Sequence, residues 1–275
     1  MSPGYSLIAM DMDGTLLRPD KTVSPEVLSA IHDAVLAGKV VALGTGRPAS
    51  ELAPYREILK DIRYAVLESG SLVYDLQEER VLFSHCLDPA CIPAVLEAVS
   101  HEDIMPQAMS GGRSYVNGDD IPRMAHYQMG IYQSLYEAAA DRVPDIRAFF
   151  REHAGEIEKI NLYHTSPASR ERTAARLAAV PAQKTYAEQS SLEISPRGIT
   201  KGQGLIELCG LLGIPVEQSI AVGDADNDIP MLRAAGLGIA VGNANEHVLA
   251  AADVIVSDND RDGCAEAIRR YLLGG

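Results

Sequence analysis

Two aspartates one residue apart, Asp11 and Asp13, follow an apolar run at residues 7–10 that has the character of a buried strand. Two carboxylates at the end of a buried strand cost solvation free energy and repel each other unless a cation or hydrogen-bond donors offset the charge. The pair therefore predicts a site that binds positive charge. A divalent metal ion is the first candidate.

A second acidic segment lies far along the chain, after the apolar run at 219–222. Its oxygen-bearing side chains are Asp224, Asp226, Asn227 and Asp228. By itself the segment is equally well explained as a solvated loop or as a helix start, where carboxylates are favoured. Taken together with the first pair, it supplies the hard oxygen ligands that suit Mg²⁺, with room for water and a substrate phosphate.

Two further positions have groups suited to an anion. Thr45 lies between two glycines after the apolar run at 40–43. A threonine there is often only part of a turn, but its hydroxyl and the backbone N–H of Gly46 could hold phosphate oxygens. Lys201 begins a helical pattern, where its charge opposes the helix dipole. Most such lysines are solvated, yet the unfavourable position is a reason to expect an anionic partner.

The order of elements predicts how these positions meet. The first part of the chain alternates strands at 7–10, 40–43 and 64–67 with helices from Ser24-Pro25 to near Gly38 and over 49–60. From Lys201 onward, helices at 201–213, 227–235, 244–251 and 262–273 alternate with strands at 219–222, 237–241 and 253–256. This pattern is typical of a parallel sheet with helices on both faces. Ligands bind at the carboxyl ends of the strands in such sheets. The positions that directly follow strands are therefore predicted at one edge; they are Asp11 and Asp13, 45–47, 69–70 and 223–228.

The middle of the chain has a different pattern. It reads as a hairpin at 72–74 and 81–83, then short strands near 104–109, 114–117, 156–164, 182–187 and 191–195, with helices at 89–102, 121–140, 145–153 and 167–179. This mixture predicts an α+β insert. We therefore predict a discontinuous, Rossmann-like α/β core over 1–82 and 190–275 and an inserted α+β domain over 83–189.

The motifs together resemble those of a known family. Asp-x-Asp-Gly-Thr from Asp11, Thr-Gly-Arg at 45–47, a lysine before a helix at Lys201, and Gly-Asp-x-x-Asn-Asp at 223–228 resemble, in that order, the four motifs of the haloacid dehalogenase superfamily. The placement of the insert is similar to the class-two, B-type cap, and the segments around Lys201 and Asp224 resemble the Cof-type subfamily. One departure is Ser69-Gly70, where the subfamily usually has Asn-Gly.

The resemblance implies a Mg²⁺-dependent phosphatase that hydrolyses a small phosphorylated metabolite through an aspartyl-phosphate intermediate. Asp11 would be the nucleophile and Asp13 the general acid and base. The implied phosphate-binding residues are Thr45, Gly46, Lys201 and Asn227. The implied metal ligands are Asp11, Asp13 through its backbone carbonyl, Asp224 and Asp228. Cof-type relatives suggest sugar phosphates, other small metabolites or pyridoxal phosphate as substrates, with specificity set by the inserted domain.

Composition limits the partners. The formal net charge is −14, with 38 acidic and 24 basic residues, which argues against nucleic acid or an anionic membrane as the main partner. The four cysteines show no CxxC spacing, which favours reduced, packed thiols. No apolar run approaches the ~20 residues of a membrane helix, and no leader pattern is visible, so a cytoplasmic protein is expected.

Other interpretations stay open at this stage. A phosphomutase of the same superfamily would share the nucleophile, and a non-catalytic binding or regulatory protein could use the same scaffold. A nucleotide-binding interpretation of Gly44-Thr45-Gly46 is weaker, because the third glycine of that fingerprint is missing. Possible substrate contacts in the insert are equally well explained as surface residues; they are Arg113, Tyr115, Arg123, His126 and Lys159. The oligomeric state is not predicted.

Overall fold

The structure, a computed structural model, describes residues 4–274, and these divide into two compact units. The first unit comprises the described residues up to Arg47, Pro54–Phe83 and those from Thr200 onward. The second unit comprises Pro48–Ala53 and Ser84–Ile199.

The strands and helices of the described residues are numbered in chain order. The strands are β1 Leu7–Met10, β2 Val40–Gly44, β3 Tyr64–Leu67, β4 Leu72–Asp75, β5 Arg80–Ser84, β6 Ile104–Ser110, β7 Arg113–Asn117, β8 Ala140–Val143, β9 Lys159–His164, β10 Ala182–Ala187, β11 Ser191–Pro196, β12 Ser219–Gly223, β13 Leu237–Ala240 and β14 Val254–Ile255. The α-helices are α1 Pro25–Leu36, α2 Ile92–Ser100, α3 Gln133–Ala139, α4 Ile146–Glu152, α5 Pro167–Arg176, α6 Lys201–Leu212, α7 Ile229–Ala234, α8 Glu246–Ala251 and α9 Gly263–Ala267.

The first unit is built on an eight-stranded sheet in the order β14-β13-β12-β1-β2-β3-β4-β5. The strands from β14 to β3 pair in parallel, and β4 pairs antiparallel with β3. β1 lies between β12 and β2, and all four of its residues are buried, as expected for a continuous apolar run inside a parallel sheet. The residues that follow β1, β2 and β12 therefore meet at one edge.

Helix starts in this unit follow local sequence signals. Ser24 accepts a hydrogen bond from the N–H of Val27 and caps α1, with Pro25 at the first helical position. Thr200 caps α6 in the same way by accepting from the N–H of Gln203. This cap fixes Lys201 as the first residue of α6.

The second unit contains a six-stranded sheet in the order β10-β11-β9-β6-β7-β8. Its pairs are antiparallel except for β7 with β8. One apolar cluster joins sheet residues such as Ile160 to Val95 of α2 and Phe150 of α4, and a separate cluster contains Met105, Tyr136 and other residues. The predicted fold class, a parallel α/β core with an inserted α+β domain, is confirmed.

Two predicted helices are wrong. The segment predicted as a helix over 49–60 is a 3₁₀ helix, Ala49–Tyr55, followed by turns, and Pro54 inside it lacks the N–H that an α-helix needs. The segment predicted over 121–140 is 3₁₀ at Gly118–Tyr127 and again at Gly130–Tyr132, and it becomes α-helical only in α3. Pro122 lies inside the first of these stretches, and local apolar spacing does not reveal such interruptions.

The predicted boundary at 189/190 differs from the structure. β11 pairs with β10 and β9, so it belongs to the second sheet, and the second unit extends to Ile199. Pro48–Ala53 also groups with the second unit, and the N–H of Ser50 donates to the Gly112 carbonyl at 2.9 Å. The reason is that the apolar and polar alternation of a short strand does not specify which sheet it joins.

Candidate active site

Asp11 is the first residue after β1 and is only 5% exposed. Its N–H donates to the carbonyl of Val222 at 3.0 Å, which ties it to the end of β12. Its Oδ1 accepts a hydrogen bond from Lys201 Nζ at 2.6 Å. Burial raises the pKa of Asp11 to about 8, with the Lys201 cation opposing the shift and Asp228 and Asp224 adding to it.

Lys201 is a buried ammonium between two carboxylates. Its Nζ donates to Asp11 Oδ1 and to Asp228 Oδ1, each at 2.6 Å. Burial alone would lower the pKa of Lys201, but the two carboxylates outweigh it and raise the pKa above its ordinary value. Removing one partner of such a buried ion pair typically costs about 3–5 kcal/mol, because it leaves a charge uncompensated. The predicted anionic partner of Lys201 is thus found in the chain itself.

Asp224 and Asp228 complete a group of three carboxylates. Asp11, Asp224 and Asp228 each offer one oxygen, and the three oxygens lie within 4.8 Å of one another. Asp228 is fully buried, and its Oδ2 accepts hydrogen bonds from the N–H groups of Asp224 and Ala225, each at 3.0 Å. These bonds fix the turn that places Asp224 beside Asp11.

Gly14 allows the close approach of the first turn to Asp224. Its φ is +87°, and a Cβ at this position would lie 2.4 Å from Asp224 Oδ2. The next residue, Thr15, donates from Oγ1 to Asp224 Oδ1 at 2.6 Å. Only glycine suits both the backbone conformation and the space at residue 14.

The Asp13 carboxylate is bound by cations and lies outside the group of three. Arg47 donates from Nε to Oδ2 and from Nη2 to Oδ1, and Lys21 Nζ donates to Oδ1, all at 2.8 Å. Burial alone would raise the pKa of Asp13, but Arg47 and then Lys21 lower it below its ordinary value. Asp11 and Asp13 thus have opposite pKa shifts although they are two residues apart.

Thr45 lies at the end of β2, at the same sheet edge. It is 2% exposed; its N–H donates to the Val66 carbonyl at 2.8 Å, and its Oγ1 accepts from the N–H of Arg47 at 3.3 Å. Asn227 lies in the 3₁₀ turn Asp226–Asp228 with an exposed side chain. The structure thus joins Asp11, Lys201, Asp224 and Asp228 by direct contacts or short distances, places Thr45 and Gly46 after the neighbouring strand, and leaves Asn227 at the margin.

The donor set fits a divalent metal ion. Three carboxylates converge, and one ammonium, Lys201, lies among them, so the negative charge exceeds the positive charge within the group. Carboxylate oxygens are the ligands that Mg²⁺ prefers. The charge balance of the three carboxylates is therefore the observation that favours a cation here.

Three residues at this edge were not assigned by the sequence analysis. Arg47 holds Asp13, Thr15 holds Asp224, and Asn243 Nδ2 donates to the Gly14 carbonyl at 2.7 Å. Arg47 lies in the Thr-Gly-Arg motif and Thr15 in the Asp-x-Asp-Gly-Thr motif, so their places in these motifs could have indicated a role in the site. Asn243 follows β13, and only the rule that ligands gather at strand ends pointed to it.

The possible substrate contacts in the second unit are engaged within that unit. Arg113 pairs with Asp141, with N–O distances of 2.5 and 2.6 Å, and His126 Nε2 lies 2.7 Å from Asp103 Oδ2. Lys159 differs, because it is buried and its Nζ lies 2.8 Å from Glu193 Oε1. The surface interpretation therefore does not hold for Lys159.

No helix within residues 4–274 is both long and apolar enough to cross a membrane.

Comparison with known proteins identifies the family. A profile described as haloacid dehalogenase-like hydrolase matches residues 8–268, so the chain belongs to this family. An Arabidopsis thaliana protein named endoribonuclease YBEY, chloroplastic, is 32% identical over 98% of this chain, but the chain spans only 47%, about half, of that protein. Pyridoxal phosphate phosphatase YbhA of Escherichia coli is 28% identical, and the match covers 97% of this chain and 98% of that protein.

Solved structures agree with this assignment. A haloacid dehalogenase-like hydrolase from Bacteroides thetaiotaomicron has a TM-score of 0.83 and 26% identity, over 97% of this chain and 99% of that one. A sugar phosphatase of subclass IIB shares the fold with a TM-score of 0.78 at 20% identity, over 97% and 98% of the two chains. The chain is thus a hydrolase of phosphoric monoesters in this superfamily, and the Cof-type subclass with a B-type insert stays a prediction from the motifs. Its relatives act on small phosphorylated substrates such as pyridoxal phosphate.

Proposed function

We propose that this phosphatase uses Mg²⁺ and hydrolyses a small phosphorylated metabolite through an aspartyl-phosphate formed on Asp11. The observation that carries the proposal is the setting of Asp11: a buried carboxylate bonded to Lys201 at 2.6 Å, in one group with Asp224 and Asp228. A carboxylate in such a site is oriented by its neighbours and shielded from water.

Asp11 acts as the nucleophile. Lys201 holds its Oδ1, and the other carboxylate oxygen attacks phosphorus in line with the leaving group. A bond forms between Asp11 and phosphorus as the bond to the leaving oxygen breaks. Water then attacks the phosphorus of the aspartyl-phosphate, which releases inorganic phosphate and restores the Asp11 carboxylate.

Asp13 moves the proton in both steps. It donates a proton to the leaving oxygen and later removes one from the attacking water. Its bonds to Arg47 and Lys21 favour the ionised form, which suits the second step. Proton donation in the first step requires Asp13 to loosen one of these ion pairs, so Arg47 and Lys21 set how readily it takes up a proton.

The phosphate oxygens are bound by the Thr45 hydroxyl, the Gly46 N–H, Lys201 and Asn227. The metal would be held by Asp11, the Asp13 backbone carbonyl and Asp224, with Asp228 in close support. When bound, Mg²⁺ would reduce the repulsion between the carboxylate and the phosphate and balance charge that develops on the transferred group. The excess of carboxylates over ammonium groups supports this assignment.

The substrate is proposed to be a sugar phosphate or a similar small phosphomonoester. The net charge of −14 supports a small molecule rather than a nucleic acid as partner, and a cytoplasmic location remains the proposal made from sequence. The assignment of substrate selection to the second unit likewise remains a prediction from family resemblance.

The test is phosphate release by the purified chain from a panel that includes p-nitrophenyl phosphate, hexose phosphates and pyridoxal 5′-phosphate. Activity with Mg²⁺ and its loss with EDTA are expected. Isomerised sugar phosphate without free phosphate would indicate a phosphomutase instead. No turnover of any substrate with Mg²⁺ would contradict the proposal and favour a non-catalytic role.

A further inference from the structure

Asn243, in the loop between β13 and α8, donates one hydrogen bond and accepts another through its side-chain amide. Its Nδ2 donates to the Gly14 carbonyl at 2.7 Å, and its Oδ1 accepts from the backbone N–H of Asn259 at 2.9 Å. A carbonyl can only accept and a backbone N–H can only donate, so the two partners fix the orientation of the amide. Asn243 therefore connects the turn after β1 to the loop at Asn259.

Asn259 extends this connection to the far end of the same turn. Its Nδ2 donates to the Leu17 carbonyl at 2.8 Å. The carbonyls of Gly14 and Leu17 are thus each held by an asparagine side chain. We call this pair of asparagines the clasp of the turn 14–17.

The turn held by the clasp reaches two residues of the active site. Thr15 donates from Oγ1 to Asp224 Oδ1 at 2.6 Å, and the N–H of Leu16 donates to the Asp11 carbonyl at 3.1 Å. Asp13 directly precedes Gly14 in the chain. A shift of the Gly14 peptide would therefore move the neighbours of both Asp11 and Asp224.

We propose that Asn243 is a positioning residue for the phosphatase reaction, acting through the Gly14 carbonyl on Asp13 and Thr15; this inference rests on the proposed function. A positioning residue is needed here because residue 14 is a glycine with a φ of +87°, a conformation that glycine adopts easily because it has no Cβ. The local backbone bonds of the turn involve the N–H groups of residues 15–17, so the orientation of the Gly14 carbonyl depends on Asn243, and catalysis is sensitive to shifts of about 1 Å.

Folding stability alone does not explain the arrangement. The Asn243 side chain is exposed, so water can replace its hydrogen bonds when it is removed, and the effect on unfolding is small. Its hydrogen bond to the turn 14–17, directly after Asp13, is what distinguishes it from other exposed asparagines.

The test compares Asn243→Ala with Asn245→Ala. Asn245 is in the same loop, but its Oδ1 caps α8 by accepting from the N–H groups of His247 and Val248. Its Nδ2 donates to Asp226, an exposed side chain that has no role in the proposed site. For Asn243→Ala, kcat is expected to fall about tenfold with KM within about twofold of wild type, since orientation and not binding is lost. Hydrogen exchange of the Thr15, Leu16 and Leu17 amides should become faster. Asn245→Ala should lower the unfolding temperature and leave kcat and this exchange unchanged.

Asn259→Ala gives a second variant. It removes the bond to Leu17 but keeps the backbone N–H that Asn243 accepts, so a smaller fall in kcat is expected. A kcat for Asn243→Ala within about twofold of wild type, or an equal loss in Asn245→Ala, overturns the proposal. If the wild type releases no phosphate, the proposed function fails. Hydrogen exchange of the turn amides then tests separately whether Asn243 holds the turn. Exchange that is unchanged in Asn243→Ala would overturn that role as well.

Discussion

Arg47 binds the Asp13 carboxylate through two parallel hydrogen bonds, from Nε to Oδ2 and from Nη2 to Oδ1, each at 2.8 Å. The Arg47 side chain is 11% exposed, and the Asp13 carboxylate also accepts from Lys21. The fork geometry is specific to arginine, because a lysine ammonium cannot make the same planar pair. The proposed acid and base is therefore oriented by Arg47, which follows the neighbouring strand, and is kept ionised by Arg47 and Lys21 together.

Arg47→Met should lower kcat/KM on alkyl phosphates about 10²-fold, because kcat/KM reports the first step and a misoriented Asp13 loses general acid catalysis there. p-Nitrophenyl phosphate, whose leaving group needs little protonation, should be affected much less. Steady-state kinetics with both substrate types measure the difference. Arg56→Met removes an exposed ion pair to Glu79 and serves as the control. Equal losses on both substrate types would contradict the role given to Arg47.

Thr15→Val should weaken Mg²⁺ binding about 10- to 100-fold, because Asp224 loses the hydroxyl that orients it at 2.6 Å. Isothermal titration of the free enzyme with Mg²⁺ measures this without turnover. Thr15→Ser keeps the hydroxyl and should bind Mg²⁺ nearly as wild type does. An unchanged Mg²⁺ affinity in Thr15→Val would show that the Thr15 hydroxyl does not position Asp224 for metal binding.

Ser69→Asn should stabilise the first unit. Ser69 has φ 61° and ψ 26°, the left-handed region, which costs most residues roughly 1–2 kcal/mol and which asparagine tolerates better. We expect a gain of about 0.5–1 kcal/mol in thermal unfolding. A lower unfolding temperature for Ser69→Asn would show that the serine makes contacts worth more than the strain.

The stability of the second unit should fall as the pH drops below about 6.5. His164 is buried, and its Nδ1 lies 2.9 Å from the Ser190 carbonyl, so Nδ1 carries the proton in the neutral form. Nε2 has no hydrogen-bond partner, and burial lowers the pKa of His164 below its ordinary value. Since the folded state resists protonation, stability is full above the unfolded pKa and is lost as pH falls through the folded pKa.

Urea unfolding between pH 5 and 7.5, followed by a probe in the second unit, measures this dependence. His164→Gln, which cannot take up a proton, should flatten the curve in the acidic part of the range. A wild-type curve that is already flat there would show that His164 is not the group responsible.

Residues far apart in the chain could be predicted to meet where a general rule of the fold connects their positions. Asp11 and Asp224 lie in opposite halves of the discontinuous core, and the rule that parallel strands gather ligands at their carboxyl ends predicted their meeting. The contact of Lys201 with Asp11 was implied only by the family resemblance. The orientation of Arg47 and Thr15 was not predictable in the same way. It depends on the path of the turn at Gly14, which only the tertiary structure defines.

The wrong helices have a related cause. Apolar spacing over 49–60 suited a helix, but Pro54 lacks the N–H that an α-helix needs there. The segment is also divided, since Pro48–Ala53 groups with the second unit and the residues from Pro54 with the first. The segment of β11 was correctly predicted to be a strand but was assigned to the wrong unit. The choice of partner strand depends on the tertiary structure and cannot be read from the strand's own sequence.

The central claim, that Asp11 carries the phosphoryl group, is tested most directly by trapping the intermediate. The enzyme is mixed with Mg²⁺ and a turned-over phosphomonoester, quenched in acid within the first turnover, and digested for peptide mass spectrometry. We predict one phosphoryl group on the peptide that contains Asp11, removed by hydroxylamine and absent from Asp11→Asn, which should also lose activity by orders of magnitude. Near wild-type turnover by Asp11→Asn, or turnover with no phosphorylated peptide at that position, would contradict the account.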